Sequence, residues 1–205
     1  MQPEPSTIQE IPLFPLRTVL FNGGRLPLKI FEPRYVDMVS RCLKEQSGFG
    51  VVLIREGVEA RTERQASQPK LFGIGTYATI VDFSEVAGGM LGIITAGGPK
   101  FRVLDTHERN DHLLMGEVEF LPEERVQEFS TDYESLVDIL RQLMEHPMVK
   151  KLALDVDFGD ARSVSWALAD LLPIEPEIKQ SLLQMQLPRE RLAELKRLVA
   201  NMKGS

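Results

Sequence analysis

The sequence predicts an α+β protein, with an antiparallel β module over residues 1–122 and a helical module over residues 123–205. Three observations carry that reading. From Ile11 to Leu121 the chain runs in short apolar segments punctuated by glycine, proline and asparagine, the pattern of strands joined by turns. Glycine pairs and Asn110-Asp111 recur between those segments, where tight hairpins need residues that tolerate positive φ. After Pro122 glycine nearly vanishes and leucines recur at helical spacing.

The opening stretch IPLFPLRTVLFNGGRLPLKIFEPRY, residues 11–35, sets the character of the β module. Pro12, Pro15 and Pro27 lack the amide hydrogen that a central ladder requires, so their strands are expected to be edges, bulged, or kinked in passing between sheets. Gly23-Gly24 permits a tight reversal between LRTVLF and RLPLKIF. Pro33 is suited to the first position of a helix in which Tyr35, Val36, Val39, Cys42 and Leu43 share one face, ending near Gln46 and Gly48. This helix is expected to cover one end of the sheet.

GVVLI, Gly50 to Ile54, reads as a fully buried strand, and the polar stretch from Arg55 to Lys70 as a mobile connection with no period of its own. Four strands follow: Leu71–Phe83, Met90–Ala96, Lys100–His107 and His112–Leu121, separated by Gly88-Gly89, Gly97-Gly98 and Asn110-Asp111. Together they predict a meander.

In the helical module Thr131 and Glu134 form a capping-box pattern ahead of the stripe Leu136, Ile139, Leu140 and Leu143. Helices are then expected over Ser163–Leu172, Pro176–Met185 and Pro188 to about Met202. The last of these buries Leu192, Leu195, Leu198, Val199 and Met202 and leaves Arg191, Glu194, Lys196 and Arg197 in water.

Composition narrows the function classes. The formal net charge is -6, divided as 13 basic against 15 acidic residues up to Pro122 and 11 against 15 beyond it. Neither module carries the cationic surplus from which affinity for phosphate backbones arises, so nucleic acid is not the expected partner. Cys42 is the single cysteine, which excludes an internal disulfide and suits a reducing compartment. MQPEPSTIQE lacks the basic start and apolar core of a secretory signal, and no apolar run approaches the ~18 residues of a membrane span. A cytoplasmic location is expected.

Motifs that superficially suggest chemistry lack its context. GIGTYA, Gly73 to Ala78, has the glycines of a dinucleotide fingerprint, but Thr76, Tyr77, Thr79, Ile80 and Val81 favour a continuing strand over the required helix. DVDFGD, Asp155 to Asp160, lacks the sixth-position glycine of a calcium loop and has Trp166 where the bidentate glutamate belongs; Asp160 is better read as a helix cap. No nucleophile elbow is present, and Cys42 lies on the apolar face of its helix. A divalent-metal site built from Asp105, His107, Asp111 and His112 is conceivable across one hairpin, though hairpin-tip polarity needs no such reason. No catalytic residue, cofactor or metal is expected.

IPLFPLRTVLFNGGRLPLKIFEPRYVDMV resembles the signature opening of the N-terminal substrate-binding domain of the Lon ATP-dependent protease. Shorter similarities follow at FGVVLI, GTYATI, GGPKFRVL and KQSLLQMQLPRERLAELKRLV. Asn22 stands where the family usually has proline in its LFPGG turn, and Lys100 where arginine is usual. The resemblance implies a distorted, PUA-like β-barrel with one inserted helix, followed by a helical bundle. It also implies recognition of unfolded or signal-bearing polypeptides, or of a partner protein, by a module without the ATPase and peptidase parts. Phe14, Phe21, Phe31, Tyr77 and Phe101 are the candidate groove, placed between barrel and helices. An RNA-binding PUA-like module and a metal-dependent hydrolase are the alternative readings.

Overall fold

The computed structural model describes residues 8–57, 68–86 and 90–203. The chain divides into two compact units, Met1–Glu123 and Glu124–Ser205.

Among the described residues the first unit holds seven strands: β1 (Ile8–Leu16), β2 (Arg25–Ile30), β3 (Gly48–Glu56), β4 (Lys70–Leu71), β5 (Ile74–Val86), β6 (Met90–Glu108) and β7 (Leu114–Phe120). They form one sheet in the order β1-β7-β6-β5-β3-β4, with β2 added to the outer edge of β6. The first half of β1 pairs antiparallel with β7, from Ile8 opposite Glu119 to Pro12 opposite Met115. Its second half pairs parallel with β3, from Leu13 opposite Gly50 to Leu16 opposite Leu53. β1 therefore spans both flanks of the sheet and wraps it into a distorted barrel.

Pro12 and Pro27 sit where a missing N–H is tolerated, whereas Pro15 lies within the parallel β1–β3 pairing, opposite Val52. Pro12 is the last β1 residue paired with β7, immediately before the strand changes partner, and Pro27 lies on β2, which pairs with β6 alone. Neither position belongs to an uninterrupted central ladder. The second half of β1 is buried on both faces: Phe14 joins Phe49, Tyr35, Met38 and Val39 in one cluster, while Leu13 joins Tyr77, Phe101, Val118 and Phe120 in another. A continuous apolar run suits such a strand.

The inserted helix α1 (Pro33–Glu45) starts on Pro33, ends at Gln46 in the left-handed conformation (φ 53°), and buries Tyr35, Met38, Val39 and Cys42. Glu32 does not cap it; its carboxylate instead pairs with Arg34 at 2.7 Å. Leu43, expected on the apolar face, is exposed. The reversal at residues 21–24 forms as expected, with Gly23 at φ 77° and the Gly24 amide donating to the Phe21 carbonyl at 3.1 Å.

Two hairpin expectations change. Met90–Ala96 and Lys100–His107 are not separate strands but parts of the single strand β6. At Gly97 the missing side chain serves close approach, since a Cβ there would lie 2.0 Å from the Phe21 carbonyl oxygen. The Gly97 amide and carbonyl bond Gly24 and Gly23, each at 3.0 Å, and the extra length passes as a bulge between the Thr76–Lys100 and Ala78–Gly97 pairs. At the β6–β7 turn the positive φ falls on His112 (63°) rather than on Asn110 or Asp111. Gly88-Gly89 and residues 58–67 of the expected mobile connection lie outside the described residues.

Among the described residues the second unit contains a 3-10 turn at Thr131–Tyr133 and five helices: α2 (Glu134–Met144), α3 (Pro147–Lys150), α4 (Ala161–Leu171), α5 (Pro176–Gln184) and α6 (Pro188–Lys203). The capping box is replaced by Ser130, whose hydroxyl accepts from the Asp132 amide at 3.3 Å and starts the 3-10 turn. Asp160 caps α4 as expected, accepting from the Arg162 amide at 2.9 Å.

Arg191 reverses its expected place: it is fully buried. Its guanidinium donates to both Glu124 carboxylate oxygens (3.1 and 2.5 Å), to Ser165 Oγ (3.0 Å), and to the Leu182 and Met185 carbonyls (3.1 and 2.7 Å). All five N–H groups are thereby satisfied, the condition under which an arginine can occupy an interior. Met202, expected to be buried, is exposed.

Candidate functional site

The sheet is not uniformly supported by core. Beyond the Ile80–Thr95 pair, β5 carries one extra residue, Val81, before pairing resumes at Asp82 opposite Ile94. Such a bulge bends a strand and sharpens its twist. From there Asp82–Val86 of β5, Met90–Ala96 of β6 and all of β2 form a three-stranded arm. Leu26, Leu28, Ile30, Leu91 and Ile93 turn inward from it to the cluster under α1.

The opposite face of the arm holds a groove of about 250 Å³ lined by residues that include Pro27, Lys29, Asp82, Ser84, Val86 and Ile94. Register explains its floor. One cross-strand row is Pro27–Ile94–Asp82 and the next is Lys29–Gly92–Ser84, so the second row lacks its middle side chain. A Cβ on Gly92 would come within 2.7 Å of a Val86 methyl and 3.3 Å of Ser84 Oγ, so these two side chains close over the position of the missing one. Lys29 is exposed and forms no ion pair among the described residues, whereas Asp82 Oδ1 accepts from the Phe83 amide at 2.9 Å.

Three large apolar side chains of this region meet solvent: Phe31 at 62 %, Phe83 at 60 % and Val81 at 52 % exposure. Two lie on the bulged end of β5 and the third directly follows β2. Scattered exposed leucines and valines are ordinary, but three such residues on one arm, with Phe83 in the Leu28–Ile93 row on the face away from the groove, mark an arm suited to contact.

The five aromatics expected to line a groove are not brought together as one. Phe14 packs edge-on to Tyr35 and Phe49, with ring centroids 4.1 and 5.9 Å apart, and Phe21 is wholly buried. Tyr77 and Phe101 both pack edge-on to Phe120, at 5.6 and 6.0 Å. The Phe101 ring fills space left by Gly50 and Gly75, where a Cβ would come within 2.6 Å of it. Tyr77 accepts the buried Gly48 amide on its hydroxyl at 2.6 Å, and burial raises its pKa. These four hold the barrel together; of the five, Phe31 is the exposed one.

The histidine cluster does not assemble either. His107 Nε2 lies 3.5 Å from Glu10, His112 pairs with Glu108, and Asp105 accepts the Thr106 amide. No group of three or more metal-ligating side chains occurs among the described residues. GIGTYA lies in β5 and entering it, as the strand reading required. In DVDFGD, Asp157 and Asp160 accept backbone amides of Gly159 and Arg162 at 2.8 and 2.9 Å. Burial raises the Cys42 thiol pKa, and its sulfur contacts the Gly48 carbonyl at 3.5 Å. No helix among the described residues is long and apolar enough to cross a membrane.

A wrapped, mainly antiparallel sheet with an inserted helix and an apolar arm, together with a helical unit, makes this an α+β protein. The chain belongs to the family of the ATP-dependent protease La (LON) substrate-binding domain, whose model matches residues 10–201. It is similar to the Lon N-terminal domain protein of Xanthomonas campestris, with 32% identity, a TM-score of 0.73, and coverage of 93% of this chain and 98% of that one. The fold is shared with the N-terminal domain of the Mycobacterium avium complex Lon protease, at 15% identity and a TM-score of 0.57, covering 91% of this chain and 96% of that one. Among whole proteins, the Lon protease of Parabacteroides distasonis is 28% identical over 134 residues, 65% of this chain and 16% of that protein. The Lon protease of Erwinia amylovora is 24% identical over 208 residues, covering 95% of this chain. The chain spans about a quarter of the Erwinia protein's length.

Proposed function

We propose that this chain is a polypeptide-binding module that holds exposed apolar segments of client proteins, or of a partner protein, without transforming them. The observation that carries the reading is the arm, on which Phe31, Val81 and Phe83 are exposed and one face carries an apolar groove. Membership of a substrate-binding family supports binding as the task. A role as an adaptor or accessory in protein quality control, in a cytoplasmic setting, extends the same reading.

Affinity would come from apolar burial, worth roughly 25 cal/mol per Å² removed from water and diminished by the cost of ordering a flexible segment. Micromolar, rapidly reversible capture suits that balance. The net charge of -6 opposes structured RNA as the ligand.

The test is titration of the whole chain against a reduced, permanently unfolded polypeptide and against its native, disulfide-bonded form. Binding of the unfolded form alone, persisting in salt, is expected. Equal binding of both forms, or binding of neither, refutes the reading.

A further inference from the structure

Among the described residues the β5–β6–β2 arm has two open edges, and the sequence treats them differently. On one side β2 pairs with β6 alone, and Pro27 has no N–H to offer a further strand. On the other side the pairing of β5 with β3 stops at Thr79 opposite Gly48, so from Ile80 to Val86 β5 has β6 on one edge only. This stretch contains no proline and no basic residue, and every residue from Val81 to Glu85 is exposed.

In an antiparallel ladder alternate residues direct N–H and C=O to one neighbour, and the residues between them to the other. The Phe83 amide shows which set faces outward here. It donates to Oδ1 of the preceding Asp82 at 2.9 Å, a bond within its own strand directly after the Val81 bulge. β6 repeats the device: its bulge at Leu104 is followed by Asp105, whose Oδ1 accepts the Thr106 amide at 2.8 Å where β5 no longer pairs with β6. Phe83 and Glu85 therefore form the outward set of β5. The Asp82 carboxylate holds the place that the carbonyl of an added strand would take.

The geometry points to an extended polypeptide segment that adds to the β5 edge as an antiparallel strand, with a large apolar side chain opposite Phe83 and a lysine or arginine opposite Asp82. This deepens the polypeptide-binding reading and rests on it. Antiparallel is the sense of both existing β5 pairings and the more stable sense per residue. The added backbone replaces the Asp82–Phe83 bond, and the carboxylate so released turns to the incoming cation. Asp82 falls at a non-hydrogen-bonded site of the new pair, where facing side chains lie closest. Charge selects this occupant over a second copy. Neither Asp82 nor Glu85 forms an ion pair among the described residues, and a two-fold pairing of this edge would set the carboxylates of one chain among those of the other with no cation in the ladder.

The experiment measures fluorescence anisotropy of end-blocked nonapeptides, with central Leu-Lys or Leu-Glu in a threonine and serine background, on the whole chain and its D82K variant. Two N-methylated forms of the Leu-Lys peptide complete the set, one methylated at Leu and alternate residues, the other at Lys and alternate residues. Methylation in the leucine set removes the N–H groups that face β5 and is expected to weaken binding more than about tenfold, whereas the lysine set faces away and leaves binding within about twofold. Opposite charges across a ladder change affinity by a few-fold, so the wild type prefers Lys to Glu by about fivefold. D82K reverses that order, which misfolding cannot do.

Equal loss from both methylation patterns, loss from neither, or an unchanged Lys preference in D82K overturns the inference. A chain that sediments as a dimer and binds no peptide has its edge filled by a second copy, which overturns it too. The reduced, unfolded polypeptide serves as reference: if the wild type binds it without these peptide preferences, only this inference fails, and if it binds neither, both fall.

Discussion

Replacing Glu124 by glutamine tests how the helical unit is held together. Glu124 and Arg191 are both almost wholly buried, and the carboxylate takes two of the five N–H bonds that the guanidinium makes. Glutamine keeps one acceptor oxygen, turns an NH₂ group toward a donor, and leaves a buried cation without its counter-charge. Removing one partner of a buried pair costs about 3–5 kcal/mol, and the retained acceptor places E124Q near about 3 kcal/mol. Trp166, the single tryptophan, lies under the Arg191 guanidinium, 5.7 Å from ring centroid to Cζ, so its fluorescence reports the unfolding of this unit. With a urea dependence of about 1 kcal/mol/M for a unit of this size, the midpoint falls by about 3 M. The double variant E124L/R191M, which removes both charges, should unfold closer to the wild type than E124Q does. An E124Q midpoint within about 0.5 M of the wild type would refute the assignment of the pair as the unit's organising contact.

Three further outcomes are expected. Y77F leaves the buried Gly48 amide without its acceptor and should destabilise the β unit by about 1–3 kcal/mol, read as faster hydrogen exchange at Gly48. G97A sets a Cβ against the Phe21 carbonyl and should cost about 3 kcal/mol or more; melting within 1 kcal/mol of the wild type would contradict the close approach. Asp170 is pushed up to about 6 by burial, partly offset by Lys179, so its ionised form burdens the folded helical unit at neutral pH. Between the unfolded value of 3.8 and about 6 the folded state binds the extra proton, and this contribution to stability grows as pH falls through that window. D170N should therefore exceed the wild type by about 1–2 kcal/mol at pH 7.5, with the difference vanishing near pH 4.

Where backbone chemistry decided the outcome, the sequence was legible. Proline without a donor placed Pro12 at the change of partner and Pro27 on an edge, and Gly23 took the positive φ of its turn. Pro33, Pro176 and Pro188 each began a helix. Where a residue's meaning depended on a distant neighbour, it was not. Gly97 reads locally as a turn glycine, and only the Phe21 carbonyl passing over it shows that it is a contact glycine. Arg191 occupies a polar position by its neighbours' periodicity, and nothing nearby announces Glu124, which is 67 residues away.

The candidate site was the least legible part. Aromatic residues were natural candidates for a groove, yet the same size that suits them to ligands suits them to a core, and the glycines around Phe101 decide in favour of the core. Phe83 and Val81 look like alternating strand residues until the bulge carries them past the supporting cluster. Gly92 was not legible as a contact glycine because the Val86 and Ser84 side chains that close over it come from the neighbouring strand. The nearest available signal was the mixture of proline, lysine and glycine across two neighbouring apolar strands.

The central claim, that the β5–β6–β2 arm is the polypeptide-contacting surface, is most directly tested by site-specific photo-crosslinking of the whole chain to a reduced, unfolded polypeptide. Probes replace Phe31, Phe83 or Ile8, the last an apolar β1 residue as exposed as Phe83. Adducts from positions 31 and 83, with little from position 8, are the expected result. Adducts of equal yield at all three, or concentrated at position 8, would contradict it.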